Sequence, residues 1–217
     1  MQQAGMMGRF YVVAEWVARF AFSNLIWLIV NIPIVFLFVN LLLAETIEVM
    51  VTLIVMLLVT MPLLFIPSIT ALSTVVKAFL TKEEVHLLKD FLLAYRQNYK
   101  KSMKTGGILA LALAVLLVDF WYAAAYQHPM LSSIFLLIAF IGFIYTLYVC
   151  VLVPMFDTKI FTVAARCMTA HPILSLSIGI ISFVYLYVIF QWLPVLLLFF
   201  CTSPIIFLVL LVIMKHE

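Results

Sequence analysis

The chain has 217 residues, of which 68% are hydrophobic and only 10% charged, with a formal net charge of +3. Soluble domains run at about 45–50% apolar and 25% charged. A water-soluble fold of this length could not cover so much apolar surface, so the bilayer must be its solvent and the whole chain is expected to form one integral membrane domain.

In chain order, residues 6–43 are too long for one crossing, since about 20 residues span the hydrocarbon core. Residues 6–22 mix Arg9, Glu15 and Arg19 with aromatics. This composition predicts an interfacial helix with Glu15 and Arg19 paired at i,i+4. The same charges interrupt any signal-like apolar run, so no cleavable leader is expected. A first span is expected over 24–43. Asn24 and Asn31 stand seven residues apart on one face of it, and Pro33 should kink it. Intramembrane amides glue helices together for about 0.6–2 kcal/mol; a ligand-binding role for the pair is the alternative.

The AETIE turn at 44–48 leads into a second span over 49–73, broken by Pro62 and Pro67. Each proline frees a backbone carbonyl, which Ser68 and Thr70 stand close enough to satisfy. Such a broken helix is either a tightly packed kink or, as in transporters, part of a binding site. Asn24, Asn31, Ser68 and Thr70 are therefore the candidate polar site.

Residues 81–104 form the main polar segment. Thr81-Lys82-Glu83-Glu84 reads as a capping box. Leu88, Phe91, Leu92, Tyr95, Tyr99 and Met103 fall on one helical face, with most of the cations on the other. The segment is expected to lie along the interface as a cytoplasmic amphipathic helix. Spans are expected over 106–127, 131–155, 173–192 and 195–214, with a second amphipathic connector at 156–171. The predicted fold class is all-α: a polytopic membrane bundle of about six transmembrane helices with interfacial amphipathic helices.

Charge position sets the expected orientation. With both connectors and both termini on one side, that side carries all 12 Lys and Arg residues, and the opposite turns at 44–48, 127–130 and 191–194 carry none. The positive-inside rule then places both termini in the cytoplasm. Arg96, Lys100, Lys101, Lys104 and Arg166 are the candidate docking residues for anionic headgroups or a partner protein. Nucleic acid is not expected, because the aromatics lie on the apolar face.

Catalytic signatures do not occur. The chain holds no Walker loop, GxSxG or HExxH, so no enzyme activity, cofactor or metal is expected. Cys150, Cys167 and Cys201 stand far apart, at no disulfide or metal spacing. Phe91-x-x-Ala94-x-Arg96 is echoed by Phe161-x-x-Ala164-x-Arg166, a trace consistent with a worn internal repeat.

Gly8-Arg9-Phe10, Asn24-Leu25-Ile26-Trp27-Leu28, Pro67-Ser68-Ile69-Thr70-Ala71-Leu72 and the stretch from Phe91 through Asn98 to Ser102 occur in that order. On these motifs the chain resembles the YesL-like family of bacterial integral membrane proteins, a domain of unknown function. It departs from the family in having Ser68 where alanine is common and a long apolar insert between Trp27 and Pro67. The resemblance implies a bacterial cell membrane location, no established enzyme activity, and association with carbohydrate uptake systems. Two functions stand open: an accessory or scaffold component docked through the basic connectors, or a small transporter or channel with a path beside the broken second helix.

The topology is testable by cysteine accessibility. Glu45→Cys and His128→Cys are expected to react with impermeant reagent applied from outside; labelling from the cytoplasmic face alone would overturn the orientation.

Overall fold

The computed structural model describes residues 2–81, 85–126, 129–192 and 194–215. Among the described residues ten α-helices make up the fold: α1 (Gln2–Val30), α2 (Ile32–Leu42), α3 (Ile47–Thr60), α4 (Ile66–Leu80), α5 (Leu87–Ala125), α6 (Pro129–Leu152), α7 (Ile160–Ala170), α8 (Pro172–Trp192), α9 (Pro194–Phe200) and α10 (Ser203–Lys215). A π-helical turn, Met61–Phe65, joins α3 to α4. Six helical segments among the described residues are long and apolar enough to cross a membrane: Val13–Val30, Ile47–Leu80, Leu87–Ala125, Met130–Leu152, Pro172–Trp192 and Val195–Lys215. The result is an all-α membrane bundle.

Its centre is α4. Eleven of its residues are buried, from Ile66 to Phe79, and it packs against α1, α5, α6 and α10. Hydrocarbon drives no helix–helix association by itself, so close approach and polar bonds must hold the bundle. Small residues supply the approach. A Cβ on Gly106 would lie 2.9 Å from the Pro62 Cα, and one on Gly179 would lie 2.5 Å from Ile144 Cδ1. The first glycine lets α5 meet the start of α4, and the second lets α8 meet α6. By contrast, α2 and α3 contain no buried residue. They pair with each other and present apolar side chains outward, as lipid-facing helices do.

Several boundaries differ from those expected. Residues 6–22 and 24–30 belong to one helix, α1, and not to an interfacial helix followed by a span; nothing near Phe22 stops helix propagation. Two of the aromatics expected at the interface, Trp16 and Phe20, turn inward, while Tyr11 and Phe22 stay exposed. Trp16 and Phe20 meet Phe79 and Phe207 with ring centroids 5.4–6.4 Å apart. Arg19 pairs with Glu15 and sits 5.3 Å over the Phe79 ring. The break comes at Asn31, two residues before Pro33, which cannot donate to the preceding turn.

Thr81 closes α4 and does not open a new helix: its N–H bonds to the Lys77 carbonyl at 3.0 Å. The rest of the expected capping box, Lys82 to Glu84, lies outside the described residues, as do the turn residues Gln127 and His128. Asp90 instead caps α5, accepting from the His86 N–H at 2.8 Å. From Leu87 on, the segment expected to lie along the interface runs without interruption into the third span as one 39-residue helix. At 1.5 Å per residue α5 is about 58 Å long, against roughly 30 Å of hydrocarbon. About half of it must therefore extend past the membrane core.

The last span is also broken, at Cys201–Thr202 between α9 and α10. The Thr202-Ser203-Pro204 sequence explains this, since a hydroxyl residue followed by proline is a helix start. The second connector holds α7, which two bonds fasten to the bundle, with a third between α6 and α8 beside it. Tyr145 Oη donates to the Phe161 carbonyl at 3.0 Å, the Tyr148 and Ser175 hydroxyls meet at 3.0 Å, and Ser175 Oγ donates to the Met168 carbonyl at 3.1 Å.

Gly106→Ala is expected to lower the melting temperature in detergent, because its new methyl group meets backbone; overpacking costs about 1–3 kcal/mol. Gly107→Ala, with no atom within 4 Å of its Cβ, should be neutral or slightly stabilising. Equal effects would show that helix propensity, and not the α4–α5 approach, sets the outcome.

Candidate functional site

The four residues of the candidate polar site are all buried, but they do not form one cluster. Asn31 and Ser68 meet directly: Asn31 Nδ2 donates to Ser68 Oγ at 2.8 Å and to the Trp27 carbonyl at 2.8 Å. Ser68 Oγ donates in turn to the Phe65 carbonyl at 2.8 Å, inside the π-helical turn. This chain of bonds joins the break after α1 to the break before α4. Thr70 stays apart, its hydroxyl donating to the Ile66 carbonyl of its own helix at 2.9 Å. That is the usual back-bond of a helical threonine.

Asn24 serves a different break. Its Nδ2 donates to the Leu198 carbonyl at 3.1 Å and the Leu197 carbonyl at 3.3 Å, at the end of α9. Its Oδ1 accepts from the Thr202 N–H at 3.0 Å and the Ser203 N–H at 3.4 Å, at the start of α10. One amide thus supplies the acceptor and donor that two helix ends lack. Ser23 and Ser203 add a hydroxyl contact at 3.3 Å beside it. The heptad spacing of Asn24 and Asn31 indicated a shared face, but it could not indicate that the two amides meet different helices.

The carbonyl freed by Pro67 finds a partner from outside the expected set. Pro67 cannot donate to the Leu63 carbonyl, and Tyr95 Oη of α5 reaches that oxygen at 3.5 Å, a long hydrogen bond. Sequence reading placed Tyr95 on an apolar face without this role; an aromatic hydroxyl opposite a proline-freed carbonyl becomes visible only once α5 lies against α4.

Two polar atoms near the Asn31–Ser68 bond have no hydrogen-bond partner among the described residues. They are the buried Trp27 Nε1 donor and Asn31 Oδ1 acceptor. They belong to residues four apart at the end of α1 and the break that follows it, and the Trp27 ring packs edge-on against Phe65 at 6.0 Å.

The candidate docking residues divide. Lys101 pairs with Asp157 at 3.0 Å, tying α5 to the segment before α7. Arg96, Lys100, Lys104 and Arg166 are exposed and make no ion pair among the described residues. In the repeated motif both alanines, Ala94 and Ala164, are buried and both arginines are exposed.

The fold and these contacts define a multi-pass helical membrane protein whose internal polar groups act mainly at helix breaks. A family model described as "Protein of unknown function, DUF624" matches residues 42–120, from the end of α2 through most of α5. The match takes in the proline-broken helix and the basic half of α5, and leaves the motifs at 8–28 outside it. No curated protein and no solved structure matches the chain.

Substitution separates the two asparagines. Asn24→Ala leaves two carbonyls and two N–H groups short of partners, and each such group costs about 1–3 kcal/mol. It should therefore lower thermal stability in detergent sharply. Asn31→Leu removes both the Ser68 bond and the unpaired Oδ1, and Thr70→Ala removes only a local bond; each should cost about 1 kcal/mol or less. Equal losses at Asn24 and Thr70 would contradict the assignment.

Proposed function

We propose that the chain is a non-enzymatic accessory or scaffold protein of the bacterial cell membrane. Its termini and basic helices lie on the cytoplasmic side, where they dock a component of a transport or regulatory system and rest on anionic headgroups. The observation that carries this reading is a division of labour among polar side chains. Asn24, Asn31, Ser68, Thr70 and Tyr95 spend their hydrogen bonds on helix breaks and helix contacts. Arg96, Lys100, Lys104 and Arg166 keep their charges exposed. The length of α5 supports the reading, because a helix about twice the hydrocarbon thickness offers a rigid basic face beyond the membrane core. The motif-level resemblance to YesL-like proteins adds carbohydrate uptake as the setting.

A second reading, a small transporter or channel, is favoured by one observation. A donor and an acceptor, Trp27 Nε1 and Asn31 Oδ1, are unpaired beside the broken helices. A small polar solute could bridge them.

The two readings separate experimentally. Arg96→Gln, Lys100→Gln and Lys104→Gln combined should sharply reduce co-purification of a mass-spectrometrically identified transport component, since these exposed cations, unlike the Asp157-paired Lys101, form the docking face. Unchanged co-purification would sink the scaffold reading. Solute flux by the purified chain in vesicles, abolished by Asn31→Leu, would establish the second.

A further inference from the structure

One face of α5 joins its exposed charges to an apolar groove. At 100° per residue, Arg96, Lys100, Lys104, Gly107, Ala110, Leu111 and Ala114 fall within about a third of the helix circumference. The first three are the exposed cations. The last four form one wall of an open groove of about 430 Å³, whose other wall is Leu58, Val59, Pro62 and Leu63 of α3 and the π-helical turn. Lys104 precedes Gly107 by one turn. Ala114 lies about 15 Å beyond Lys104 along the axis, which is half the hydrocarbon thickness, or one leaflet.

We propose that this face binds one anionic glycerophospholipid of the cytoplasmic leaflet, its phosphate between Lys100 and Lys104 and an acyl chain along the Gly107–Ala114 groove. Charge complementarity selects the occupant. A zwitterionic lipid would bring its own cation beside Lys100 and Lys104 and offset the attraction of its phosphate, and a soluble anion would leave the groove unfilled. A partner helix would have to bring its own anionic group to the level of Lys104. The groove opens sideways between α3, which has no buried residue, and the exposed face of α5. Lipid can therefore enter from the bilayer without any opening of the bundle. The π-helical turn shapes one end of the site, because Pro62 and Leu63 line it while Tyr95 holds the Leu63 carbonyl.

The proposal deepens the headgroup contact assumed under the proposed function, and the test keeps the two apart. Purified protein is equilibrated with mixed micelles containing equal phosphatidylglycerol and phosphatidylcholine, and the tightly retained lipid is quantified by native mass spectrometry. Wild-type protein is expected to keep one phosphatidylglycerol per chain, in clear preference to phosphatidylcholine. Lys100→Gln with Lys104→Gln should reduce that preference by at least about tenfold, at roughly fivefold per cation. Gly107→Leu fills the groove where no atom lies within 4 Å of the Cβ. It should displace the lipid while leaving both cations and the melting temperature in place. Ala114→Leu serves as a second groove-filling variant should Gly107→Leu fold poorly, and Arg166→Gln, away from the groove, should change nothing. Equal retention of the two lipids would overturn the proposal. If groove-filling variants keep the lipid while the lysine variant loses it, headgroup attraction stands and the groove site falls.

Discussion

Backbone that leaves the helical ladder inside hydrocarbon has no water to turn to, and each unpaired group there costs several kcal/mol. This chain breaks three of its crossings, at Asn31, at Met61–Phe65 and at Cys201–Thr202. Each break lies within two residues of a proline: Pro33, Pro62 and Pro204. Each has a polar side chain beside it: Asn31 and Ser68, bonded to each other across the first two, Tyr95 at the Leu63 carbonyl of the π-helical turn, and Asn24 for both helix ends at the last break. The arrangement of helices follows from these pairings. The Asn31–Ser68 bond holds the first crossing against the second, and Asn24 holds it against the last, so α1 is fastened on two sides.

The same requirement explains why α4 lies at the centre. Its hydroxyl-rich first half cannot face lipid at low cost, so the serines and threonine turn inward, and α1, α5, α6 and α10 cover them. Gly106 makes that cover tight on the α5 side. The π-helical turn then has two consequences. It places Ser68 against α1, and it leaves a notch between α3 and α5 where Pro62 and Leu63 line an open apolar groove.

Function follows from what the core does not consume. With Asn24, Ser68 and Thr70 committed to structure, the proposed docking surface is the basic half of α5 together with α7. Lys101 is paired with Asp157 in the segment before α7, and the exposed Arg96, Lys100, Lys104 and Arg166 are the cations that the proposed function assigns to lipid or protein. Rigidity matters here. A continuous helix transmits its register from Arg96 to Ala114 without a hinge, so charge and groove stay aligned.

Composition alone determined that this is a helical membrane protein with about six crossings. Hydropathy is additive along the chain and needs no knowledge of neighbours. The prolines marked the second crossing as broken, and the asparagines and Ser68 stood out because polar atoms in hydrocarbon are costly wherever they point. Only the tertiary structure decided which helix each amide meets. Helical spacing defines a face but not what packs on it, so Asn24 and Asn31 looked like one site and serve two. Tyr95 reads as an apolar-face residue until α5 is laid along the π-helical turn. The 6–22 and 81–104 segments looked interfacial because amphipathicity is the same whether the apolar face meets lipid or protein. The structure joins 6–22 to the rest of α1 and 87–104 to the third span in one 39-residue helix, and the packing of Trp16 and Phe20 on Phe79 and Phe207 rests on contacts between residues far apart in the chain.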